Sequence, residues 1–169
     1  WYHNVMNLLT KWYFTQCAPL DKRAQTAHMD DKLMGELIRF VSSHEVGHTL
    51  GLRHNMGASH ATPVEKLRDK KWVEEHGHTA SIMDYARFNY VAQPEDNVSE
   101  RGLFPRVNDY DKWAIRWGYQ YRPEFKDEMD EKEKLMTETT AILAKNPRLW
   151  FGGEGKTHVH RQKTLEMTM

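Results

Sequence analysis

Apolar residues fall at positions 1, 2, 5, 6, 8, 9, 12, 13 and 14, a spacing that suits a helix with a broad apolar face. It predicts a helix from Trp1 to about Gln16. Cys17-Ala18-Pro19 ends it, because the residue before a proline disfavours helical backbone. Leu20 to His28 is polar and reads as a loop. The next periodic run carries Leu33, Leu37, Ile38, Val41, Val46 and Leu50, with Asp30 or Asp31 placed to cap it. That predicts a helix over about 31–51, with Phe40 and Val41 on the core side.

Further along, Thr62 is placed as a cap and Pro63 as a first helical residue, predicting a helix from Val64 to about His76 that Gly77 stops. His76 and His78 flank the stop and read as capping or solvated groups. Ala86 to Asn108 holds Pro94, Gly102 and Pro105 and few periodic apolar residues, so it reads as a loop of a length that often lines a cleft. Asp109 would cap a helix over Tyr110 to Trp117, ended by Gly118, with Trp113 and Ile115 in the core. Pro123 would start a last helix, running to about Lys145. Its charged run from Lys126 to Lys134 is a solvated face, and Leu135, Met136, Ile142 and Leu143 are its apolar side. Leu149 to Gly153 reads as a short packed piece, and about 155–169 as a loose tail. His158 and His160 alternate as on a strand, and a second metal site there is the less favoured reading. The expectation is a mainly α chain of four or five helices, forming one region over 1–169.

Bulk properties narrow the function. Basic and acidic residues balance at 24 each, which gives no electrostatic reason to expect nucleic acid or an anionic membrane as partner. No apolar run approaches the length of a membrane span. A single cysteine, Cys17, excludes both an internal disulfide and a multi-thiolate zinc site. It reads as a small buried hydrophobe. The chain opens on Trp1, without an initiator methionine or signal peptide, and is expected to be part of a longer protein.

The chemistry concentrates in His44-Glu45-Val46-Gly47-His48-Thr49-Leu50-Gly51-Leu52-Arg53-His54, an H-E-x-x-H-x-x-G-x-x-H pattern. On a helix, His44 and His48 point the same way about 6 Å apart, a suitable bite for two imidazoles on one ion. Glu45 is rotated about 100° from His44, so it can approach a metal-bound water without being a ligand. A helix continued to His54 would carry that residue about 15 Å away. The chain must therefore reverse, and Gly51 can adopt the left-handed conformation that a reversal needs. Three imidazoles with one open position form the pattern of a catalytic zinc site.

The motif resembles that of the metzincin clan of zinc endopeptidases, and Ser81-Ile82-Met83-Asp84-Tyr85 resembles the clan's methionine turn. The wording from Leu33 to Val41 and from His54 to Ala58 is similar to the Met-zincin catalytic region of large secreted zinc-dependent metalloproteases of Bacteroidetes-type bacteria. The resemblance covers Trp1 to about Glu154. It implies a peptide or protein substrate and one catalytic Zn2+ held by His44, His48 and His54. It also implies Met83 as an apolar floor under the ligands, and Tyr85 near the metal as a ligand or an oxyanion donor. The location it implies is secreted, periplasmic or cell-surface in a bacterium. Relatives of this kind usually carry a β-sheet before the zinc helix. None of the 43 residues before His44 reads as strands, so the chain is expected to be the C-terminal part of such a catalytic domain, without that sheet. Asn55, directly after the third histidine, departs from the Glu, Asp, Ser or Pro of better-known subfamilies.

The expected activity is peptide-bond hydrolysis through a metal-activated water, with Glu45 as general base. Two other readings compete with it. One is a zinc-binding core without hydrolytic activity on its own, and the other is a metal-free helical interaction module.

Overall fold

The computed structural model describes residues 2–26 and 28–153, and among these there are helices and short turns but no strand. The first helix, α1, spans His3–Cys17, and α2, which carries the motif, spans Asp31–Thr49. Asp30 caps α2, its carboxylate accepting from Leu33 N at 2.8 Å. Between them the expected loop contains a 3-10 turn, Lys22–Gln25. Then follow α3, Lys70–His76; a single-turn α4, Glu100–Leu103; α5, Asp109–Tyr119; and α6, Glu128–Lys145.

Three helix starts differ from expectation for one reason. A proline is tolerated in a first turn, but orphaned amides need an acceptor to begin one. Asp69 supplies it for α3, accepting from Trp72 N at 3.1 Å, so α3 begins after Asp69 while Val64–Leu67 is only a 3-10 turn. Asp127 does so for α6, four residues past Pro123, accepting from Met129 N and Asp130 N. For α5 the cap is Asn108 rather than Asp109, paired with Asp111 in a capping box.

The core joins α1 and α2 to the chain that follows the motif. Leu9, Tyr13 and Cys17 of α1 meet Leu33, Leu37 and Phe40 of α2, and Ile82, Met83, Phe88, Leu103 and Phe104 close over them. Phe88 is the hub, with ring centroids 4.9 Å from Tyr13, 5.1 Å from Phe104 and 5.7 Å from Phe40. Aromatic packing of this kind adds about 0.5–1.5 kcal/mol per pair to the burial itself. Residues 86–108, expected as a cleft loop, thus supply much of the core. Val46 and Leu50, expected on the apolar side of α2, are exposed. They line an open groove of about 580 Å³ between α2 and α5, which Ile115 also lines. Trp113 and Ile115 are only half-buried, whereas Tyr110 and Asp111 are buried. No residue of α6 is fully buried: Leu135 and Ile142 are half-buried, and Met136 and Leu143 are exposed. Among the described residues no helix is long and apolar enough to cross a membrane. The tail and its His158 and His160 lie outside the described residues.

Candidate metal centre

Four residues apart on α2, His44 and His48 bring their ring centroids to 4.8 Å. Each is oriented through Nδ1. His44 Nδ1–H donates to Ile82 O at 2.8 Å, and His48 Nδ1–H donates to Leu52 O at 2.9 Å. A carbonyl only accepts, so Nδ1 carries the proton in both rings and Nε2 presents a lone pair. Burial holds His44 below the ordinary histidine range, against the opposing pull of the Ile82 carbonyl. That favours the neutral form a metal needs.

The third imidazole returns through a Schellman motif. Leu52 N donates to Gly47 O at 3.0 Å, Gly51 N donates to His48 O at 3.0 Å, and Gly51 has φ +82°. The chain reverses there, and the His54 ring lies 4.6 Å from that of His48 and 5.2 Å from that of His44. One nitrogen from each histidine lies within 4.8 Å of the others. Nε2 of His48 and Nε2 of His54 are 3.0 Å apart. The His48 lone pair is therefore stable there only with a proton or a cation between the two nitrogens. Tetrahedral zinc at about 2.0–2.1 Å from each nitrogen would set them about 3.3–3.4 Å apart, a small opening from the observed spacing. The donor set fits zinc.

Met83 is fully buried against the α2 turn that carries His44 and His48, where a Cβ on Gly47 would run into its sulfur. The turn carrying Met83 is held by Asp111. Its carboxylate accepts from Ser81 Oγ at 2.5 Å, Ile82 N at 2.8 Å and Asn108 N at 2.9 Å. Burial raises the Asp111 carboxyl above its usual range, and these hydrogen bonds oppose the rise. One Asp111 oxygen holds the peptide N–H of Ile82, whose carbonyl orients His44. Asp84 fastens the other side, accepting from Ser59 N at 2.6 Å and Thr79 Oγ1 at 3.2 Å. Asn55, the departure noted above, accounts for itself in this setting. Its amide N–H donates to Met83 O at 3.0 Å, its Nδ2 donates to Trp150 O at 3.1 Å, and its Oδ1 accepts from Gly152 N at 2.8 Å. Only a primary amide can donate and accept in that way.

Glu45 and Tyr85 face solvent beside the histidines, and Tyr85 Oη lies 2.9 Å from His54 Nε2. Thus His44, His48, His54 and Tyr85 gather at one place. His76 and His78 serve elsewhere. His76 stacks on Trp72 at 4.7 Å, and His78, expected as a capping or solvated group, is buried with Nε2–H donating to Arg87 O at 2.9 Å. Cys17 is buried, and its thiol is pushed up to about 12, which leaves it an unreactive core residue. The residues missed from sequence are Asp111, Asp84 and Arg87. Asp111 carried a usable signal, since Asn108-x-x-Asp111 is the spacing of a capping box.

The Met-zincin family model matches residues 26–167, most of the chain. The chain belongs to the Met-zincin family. No curated protein and no solved structure matches it. Family membership suggests a zinc metallopeptidase acting on peptides, and the three-histidine cluster of this Met-zincin is consistent with a zinc site. The match begins after α1, yet α1 supplies Leu9, Tyr13 and Cys17 to the Met-zincin core beneath the site.

Proposed function

We propose that the chain is a zinc-dependent endopeptidase, with His44, His48 and His54 as metal ligands, Glu45 as general base and Tyr85 as an oxyanion donor. The convergence of three ring nitrogens within 4.8 Å, two of them fixed in the ligating tautomer by carbonyls, carries the reading. A zinc ion bound there would supply Lewis acidity and an acidified water near neutral pH. Glu45, on the helix turn beside the first ligand and open to solvent, accepts the proton of the attacking water and returns it to the leaving amine. The Tyr85 hydroxyl is free to turn from His54 Nε2 toward the developing negative charge on the scissile carbonyl oxygen. Met83 and Asp111 keep the imidazoles oriented while the charge moves. The same reading expects the protein outside the cytoplasm of a bacterium.

The test measures zinc content and peptide cleavage on one sample. Equimolar zinc with cleavage, and a Glu45→Gln variant that keeps zinc but loses cleavage by about 10²–10⁴-fold, is the expected result. Wild-type cleavage by Glu45→Gln removes that residue from the role. Zinc without turnover favours the inactive zinc-binding core, and a protein that takes up no zinc favours the helical interaction module.

A further inference from the structure

Two residues past Tyr85, Arg87 occupies left-handed backbone with φ +58°. A residue with a Cβ stays in that region only where its surroundings hold it. They do so from both sides. Its carbonyl accepts from His78 Nε2–H, and the next amide, Phe88 N, donates to Gln16 Oε1 at 3.1 Å. The guanidinium is then set over aromatic rings rather than against an acid. Its central carbon lies 4.1 Å from the Trp12 ring centroid and 4.6 Å from that of Tyr85.

An arginine drawn out of solvent normally commits its N–H donors to acceptors. Among the described residues Arg23, Arg68, Arg122 and Arg148 pair with acids and the half-buried Arg106 donates to backbone carbonyls, whereas the Arg87 guanidinium makes no ion pair or hydrogen bond. Asp84, the acid whose charge reaches it, directs its hydrogen-bonded oxygen at Ser59 N and Thr79 Oγ1 instead. What results is a pinned, partly desolvated cation whose N–H donors are uncommitted, with only the Tyr85 ring between it and His54. With 4.6 Å from the guanidinium to the Tyr85 ring and 4.6 Å from that ring to His54, the separation is at most about 9 Å, or two to three residues of extended peptide at about 3.3–3.6 Å each.

We propose that Arg87 is the anion-receiving group of the substrate site and binds a carboxylate of the bound peptide within about two to three residues of the scissile bond. This rests on the peptidase reading and names its substrate class as peptides with an acidic group near the cleavage point. The carboxylate has two sources, an Asp or Glu side chain and a free C-terminus. The planar guanidinium can receive either one through two parallel hydrogen bonds.

Two peptide series separate the sources. One exchanges Glu for Gln at each position flanking the cleaved bond, and the other exchanges a free C-terminal acid for an amide. Cleavage is measured on the zinc-loaded protein. Binding is measured by calorimetry on zinc-loaded Glu45→Ala, which does not depend on turnover. The expected result is a preference of about 10-fold or more for the acid at one position in one series. That ratio should fall to about one in Arg87→Gln and be partly kept in Arg87→Lys, with thermal midpoints and zinc content recorded for each variant. A wild-type ratio of one throughout overturns the proposal, as does a preference that survives in Arg87→Gln. If no peptide is cleaved but Arg87-dependent acid binding remains, the peptidase reading fails and the carboxylate site stands. If cleavage proceeds without acid preference, the carboxylate site alone fails.

Discussion

Gly47 and Met83 compete for one volume: the space a Cβ on Gly47 would take is already filled by the Met83 sulfur. The residue between the two helical histidines is therefore small so that the methionine can pack against that turn of α2. Gly47→Ala is expected to destabilise by about 1–3 kcal/mol, the usual cost of overpacking, and to weaken zinc binding. Gly35→Ala, on the same helix with nothing within 4 Å of the added carbon, is expected to stabilise by about 0.5–1 kcal/mol. Denaturant midpoints of the two variants against the parent check the pair.

Asp111 holds two backbone amides and a hydroxyl in a buried place. Asp111→Ala leaves all three donors without their acceptor, each loss costing about 1–3 kcal/mol. Zinc affinity should fall about 10–100-fold, because the Ile82 carbonyl that orients His44 loses its anchor. A zinc titration with wild-type affinity in that variant would refute the link between Asp111 and His44.

Zinc should couple to folding. A ligand that binds only the folded chain adds about 2.7 kcal/mol of stability at a hundred times its dissociation constant. Adding zinc should raise the thermal midpoint, a chelator should reverse the rise, and His44→Ala or His54→Ala should abolish it. Thermal melts with and without a chelator give the answer.

His78 predicts a pH dependence. Burial lowers its pKa from 6.5 to about 4, so the folded state resists a proton that the unfolded chain accepts. Its contribution is fully present above about pH 6.5 and is lost as pH falls toward 4. A shift of that size corresponds to at most about 3 kcal/mol. His78→Gln cannot titrate there, so the stability difference between parent and variant should shrink as pH drops from 7 to 4. Denaturation curves at several pH values would reveal a difference that stays flat, which sinks the assignment.

Asn55→Asp removes the Nδ2 donor to Trp150 O while keeping the acceptor for Gly152 N. It should destabilise by about 1–3 kcal/mol by turning a donor into an acceptor against a partly buried carbonyl. Asn55→Leu should be worse, since both partners are then stranded. Unfolding midpoints of the two variants rank the effect.

Much of the site was legible because its spacing is local. Two histidines four apart share a helix face in any helix, and Asp30 and Gly51 mark the ends of that helix by their own chemistry. Helix starts were less legible where a proline stands a few residues ahead of the acid that caps the helix, as Pro63 stands ahead of Asp69 and Pro123 ahead of Asp127. The pattern of apolar positions could not distinguish a buried face from an exposed one. Val46 and Leu50 fit the periodicity of α2 and still lie at the surface, because no described element covers them.

By itself the sequence determined the helix that carries His44, Glu45 and His48, the reversal at Gly51, and a three-imidazole donor set that could hold a metal ion. These depend on backbone periodicity and on the chemistry of single residues. Only the tertiary structure decided what orients the histidines and what neighbours them: the Ile82 carbonyl on His44, Asp111 on the methionine turn, Asn55 on Gly152, and Arg87 over Trp12 and Tyr85. Those partners lie between 2 and 97 positions apart, most of them far apart, with no fixed spacing between them. They meet only because the core around Phe88 folds α1, α2 and the chain beyond the motif against one another, and no local pattern encodes that encounter.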